Sequence, residues 1–300
     1  MWWVRACGRP APARLTAFRS GPQARGRLLP AHLDVVRRSL GLLWAGGLMY
    51  LVVGSAIGNQ PRRLVLFLAT VAVELAAVVV AFMGRARLAP DDPGRRAWTW
   101  IGVGLLLRLL AELRLSTLYL SIVPTFISGD ERVWAVYFFG LRYLYTLADL
   151  ALLKGLLAIR RDLLSTGLDF HLRPRDALLL VLLPPLPVTV YLLQSVFLTA
   201  PADPGLHTFR LISASVGAVV SGVCVVLASP ALQMGGGAWA WIWGAAAAAG
   251  IARALAFAFA AIAPTWTAAL LVEQWLLWSF ACLWLMATLM HLRLVSASRG

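Results

Sequence analysis

Residues 105–120 read LLLRLLAELRLSTLYL. The leucines make the stretch apolar enough for a lipid bilayer, yet Arg108, Glu112 and Arg114 interrupt it. An ionisable side chain at the bilayer centre costs about 2.5–3.5 kcal/mol on insertion scales, so such residues turn inward and pair. The stretch therefore predicts two things together: a membrane helix, and partners for its charges on neighbouring helices. Arg108 lies about 15 Å from the inner end of its span, close to mid-membrane. Glu112 follows four residues later and shares its face. Arg114 is offset from that face, near the outer boundary, where it snorkels.

The rest of the chain has the same character. Of 300 residues, 60% are hydrophobic and 13% charged. A soluble domain of this length carries about 25% charged residues. The deficit points to an all-α integral membrane protein. The net charge of +14 comes almost wholly from arginine, with Lys154 the one lysine. No basic stripe is interleaved with aromatics on a polar domain, so the charge speaks for residues flanking membrane spans and against nucleic acid.

Eight apolar segments are long enough to span: 39–58, 63–84, 97–123, 133–158, 177–199, 208–230, 238–262 and 268–292. About 20 residues of helix cross the hydrocarbon core. Turn-forming residues separate them, among them Asn59-Gln60-Pro61, Asp91-Asp92-Pro93-Gly94 and Ser128-Gly129-Asp130. These segments divide the chain into a basic, disordered tail (1–38), a first four-helix half (39–158) and a basic loop (159–176). A second four-helix half (177–292) and a short tail (293–300) complete it. Pro10, Pro12, Gly21, Gly26 and Pro30 break helical patterning in the first tail, and no apolar run marks a signal peptide.

Orientation follows from the arginines. Arg85, Arg87, Arg95, Arg96, Arg160, Arg161, Arg173, Arg175, Arg293 and the N-terminal arginines fall on one side. Arg62, Arg63, Arg132 and Arg210 fall on the other. The bias predicts both termini in the cytoplasm, in the cell (inner) membrane, as an even number of spans requires. Trp98 and Trp100 are expected at the inner interface, and Trp134 and Trp266 at the outer one.

The third span opens Ala97-Trp98-Thr99-Trp100-Ile101, and the seventh opens Ala238-Trp239-Ala240-Trp241-Ile242, 141 positions on (97 to 238). Shifting the other early spans by a similar amount lands them near the later ones. The pattern suggests two four-helix halves related by an axis along the membrane normal. The alternative is two interfacial Trp-x-Trp runs with no common origin.

The candidate site lies in the first half. Glu74 sits near mid-depth on a small or polar stripe with Thr70, Ala77 and Ala81. The fourth span places Arg142, Tyr145, Thr146 and Asp149 on one face. Glu74, Arg108, Glu112, Arg142, Tyr145 and Asp149 are thus expected to form a buried ligand or ion network. Arg253 and Glu273 form a secondary pair in the second half. In the fifth span Pro184, Pro185 and Pro187 remove backbone donors and force a kink or break. Broken membrane helices occur where freed carbonyls line a cavity or meet polar neighbours. Lys154 lies off the network face near the inner end and is expected to snorkel.

Several chemistries find no support. No histidine falls at mid-membrane, which argues against haem and intramembrane metal, and no cofactor is implied. The three cysteines, Cys7, Cys224 and Cys282, have no metal-ligand spacing. No hydrolase or phosphate-loop motif appears, and an enzyme ranks third. Two classes stand ahead of it. One is transport or binding of a small polar or charged solute, or an ion, through the network. The other is a non-catalytic membrane subunit, scaffold or sensor acting through a partner protein. In both, the lipid bilayer is the surrounding partner.

Overall fold

The computed structural model describes residues 28–54, 59–119, 131–165, 238–262 and 267–297, with isolated positions between 174 and 223. The expected fifth and sixth spans, and Pro184, Pro185 and Pro187 with them, lie outside the described residues. Met1–Ser39 and Leu40–Gly300 are separate units, and the packing below concerns the second.

Among the described residues the fold is entirely helical. The elements are α1 (Leu28–Gly54), α2 (Asn59–Ala86), α3 (Pro93–Tyr119), α4 (Glu131–Ser165), α5 (Ala238–Ile262) and α6 (Thr267–Ala297). The helix α1 begins well before the expected span. Pro30 falls in its first turn, where a missing N–H removes no intrahelical bond. The start of α3 is fixed by a cap: Asp92 Oδ1 accepts the Gly94 N–H at 2.8 Å, and Pro93 takes the first helical position.

Among the described residues three helices are long and apolar enough to cross a membrane, over Val36–Val53, Val65–Ala86 and Leu271–Ser296. Of the eight spans expected from sequence, these match the first, second and eighth on length and apolarity. Charge explains the shortfall in α3, whose length carries Arg108, Glu112 and Arg114. The burial pattern is inverted relative to a soluble protein. Leu42, Met49 and Val52 on α1 are 75%, 67% and 66% exposed, and Leu68, Leu75 and Val79 form an exposed stripe on α2. Glu74, Arg108 and Asp149 are buried. Water would penalise so broad an apolar exterior, and acyl chains would not.

Packing runs in sequence from α4 to α3, α2, α6 and α5. The α3–α4 seam is built on glycine. A Cβ on Gly104 would stand 2.9 Å from the Ala148 carbonyl, and one on Gly155 would stand 2.8 Å from the Ala97 carbonyl. Only hydrogen fits at these two places, so the backbones meet directly. The α5–α6 seam uses alanine. Ala245, Ala246, Ala249 and Ala252 are buried on α5, and Ala252 and Ala256 pack with Leu276 of α6. On α2, Val73, Glu74, Ala77 and Ala81 face inward and Phe82 fills the space beside Gly102 of α3.

Candidate functional site: a buried charged centre

The inward stripe of α2 sets Glu74 against α3. Arg108 answers it: its Nε donates to Glu74 Oε1 at 3.2 Å, and its Nη2 lies 3.5 Å from Glu112 Oε1 one turn along. The guanidinium is 3% exposed and lies 3.9 Å above the Phe280 ring of α6. The Tyr145 ring of α4 is 5.7 Å away. Arg108 is therefore held by two carboxylates and by the faces of two aromatic rings.

Asp149 lies one turn from Tyr145 on α4 and is wholly buried. Its partner comes from α5: Arg253 Nη1 donates to Asp149 Oδ1. Arg253 is also within electrostatic reach of Arg108, Tyr145, Glu112 and Glu74. The residue expected in a secondary pair with Glu273 thus belongs to the main centre. Helices α2, α3, α4, α5 and α6 each send a side chain to it. Glu273 is half-buried and makes contacts of its own.

Glu74, Arg108, Glu112, Tyr145 and Asp149 come together as a set. The side chain of Arg142, like those of Pro184, Pro185 and Pro187, is outside the described residues. The centre has unused hydrogen-bonding capacity. Glu74 Oε2, Asp149 Oδ2 and Thr146 Oγ1 are buried and have no hydrogen-bond partner among the described residues. A buried carboxylate oxygen left bare costs free energy comparable to a lost hydrogen bond or more. Among the described side chains, Glu74, Glu112 and Asp149 face Arg108 and Arg253, so negative charge is in excess.

Sequence reasoning misses Phe280 and the role of Arg253. The 141-residue offset does place Arg253 at the position of Glu112, which is the available signal. It also misses a polar place at the other end of α3. Trp98 is buried and stacks on His291 with ring centroids 3.7 Å apart. His291 packs against Gly84, and a Cβ there would meet its ring at 2.8 Å. Among the described residues no His, Cys, Asp and Glu converge in threes to hold a metal ion.

The fold and site define an all-helical chain with membrane-capable helices around a buried ionic centre. Comparison with protein-family models, with curated proteins and with solved structures finds no match for it.

Proposed function

We propose that this chain is a polytopic membrane protein that binds or transports a small polar or charged solute through the centre around Arg108. The observation that carries the reading is the pair of bare, buried oxygens, Glu74 Oε2 and Asp149 Oδ2. Burying carboxylates without full pairing is expensive, and a bound cationic group or proton removes that cost. Among the described side chains three carboxylates meet two guanidiniums, so a proton or a solute bearing a positive group is the preferred guest. The full topology in this reading has eight spans, both termini in the cytoplasm, and two parallel four-helix halves in the cell membrane.

One observation favours a second reading, a non-catalytic membrane subunit, scaffold or sensor acting through a partner protein. Glu74, Arg108 and Asp149 are nearly sealed, as in a network that fixes helix packing.

One experiment separates the two. The purified chain in proteoliposomes is tested for proton flux with an entrapped pH dye. In parallel, thermal stability is screened against small amines, amino acids and organic acids. Under the first reading the wild type shows flux or a stabilising solute, and Glu74→Gln and Asp149→Asn lose it while remaining folded. Absence of both responses, or responses unchanged in both variants, leaves the second reading.

A further inference from the structure

The α3–α4 pair carries a groove on its outer side, away from the charged centre. It encloses about 220 Å³. Val103 and Leu107 of α3 line one wall, Leu147 and Leu150 of α4 the other, and Trp100 and Lys154 close one end. Leu147 and Leu150 are about half exposed, so the groove opens outward. From Trp100 to Leu107 it runs about 10 Å along the helix axis.

The cation marks this groove out from ordinary lipid-facing surface. Lys154 is exposed, and its Nζ is held 3.8 Å over the Trp100 ring. A cation–π contact fixes the ammonium at the mouth instead of letting it range freely. The groove face continues past the mouth with more positive charge. Arg96 lies one turn before Trp100 and Arg161 two turns beyond Lys154, and both are exposed. Acids lie at this end too, Asp162 beside Arg161 and Asp92 at the α3 cap, so the fixed positive charge at the mouth itself is Lys154. An apolar channel about half an acyl chain deep, with a fixed ammonium at its interfacial end, matches an amphiphile with an anionic head.

The geometry points to a binding site for a phospholipid of net negative headgroup charge, with one acyl chain between α3 and α4 and its phosphate on Lys154. Basic residues at helix ends attract anionic headgroups strongly enough to select them from a mixed bilayer.

The test is native mass spectrometry of the full chain in detergent, titrated with phosphatidylglycerol or with phosphatidylcholine of the same chains. The wild type binds phosphatidylglycerol about fivefold more tightly, the effect of one fixed basic residue at the headgroup level. Lys154→Gln removes that preference, Lys154→Arg keeps it, and Leu150→Trp, which fills the groove, lowers binding of both lipids. Equal affinity of the wild type for the two lipids overturns the proposal. So does a preference that survives Lys154→Gln, or a groove covered by a second copy, seen as a dimer that excludes lipid.

Discussion

The helix pairs α3–α4 and α5–α6 are assembled in similar ways and put to different use. Both α3 and α5 open with Ala-Trp-x-Trp-Ile, and the isoleucines of the two, Ile101 and Ile242, are fully buried. The agreement continues at the same offset: Leu105 and Ala246 are both buried, then Arg108 and Ala249. One buried register therefore holds a guanidinium in one helix and a methyl group in the other. At the next turn α3 has Glu112 and α5 has Arg253. The contrast teaches that an intramembrane charge is governed by what converges on it from other helices. Arg108 stands where α2, α4 and α6 supply carboxylate and aromatic faces. Ala249 is fully buried on α5 among Ala245, Ala246 and Ala252.

The sharpest way to break this contrast is to remove the guanidinium. Arg108→Ala leaves Glu74 and Glu112 buried without their cation and destabilises the protein by about 3–5 kcal/mol. Thermal or denaturant unfolding in detergent measures it. Adding Glu74→Gln and Glu112→Gln to Arg108→Met restores most of the loss, since no charge is then left unpaired. Recovery that fails to appear would show that Arg108 acts through packing and not through charge.

The seams come next. Gly104→Leu drives a side chain into Leu152 and the Ala148 carbonyl, and Gly155→Leu does the same to Ile101 and the Ala97 carbonyl. Each costs about 1–3 kcal/mol as overpacking, by the same unfolding assay. On α5, Gly244 has open space around its Cβ position. Gly244→Ala is therefore neutral or stabilising, by up to about 1 kcal/mol.

The smallest effect is at the contact of α1 with α6. There Trp44 Nε1 donates to Ser279 Oγ at 2.8 Å, and Ser279 donates to the Trp275 carbonyl. Ser279→Ala removes the indole's acceptor and costs about 1 kcal/mol, seen as a small drop in Tm and a shift in tryptophan emission.

Some of this is legible in the sequence for a physical reason. Depth follows from counting residues along a helix, and face follows from the 3.6-residue period. Those two coordinates are enough to put Glu74, Arg108, Glu112, Tyr145 and Asp149 in mid-helix on inward faces. The third coordinate is which helix stands next to which, and one chain's pattern does not contain it. That is why the bond of Arg253 to Asp149 is not foreseen from the sequence. Trp98 adds a contact that the sequence pattern does not contain, stacking on His291 and packing beside Trp243. The charges that make α3 informative also lower its apolarity.

Gly104 and Gly155 carry one consequence beyond stability. Where two backbones touch with no side chain between them, neither can slide or tilt alone. The pair α3–α4 is thus the stator of the bundle and carries Arg108, Glu112 and Asp149 in fixed geometry. Under the proposed function, a guest would reach these groups from the side facing α5, where Arg253 bonds Asp149.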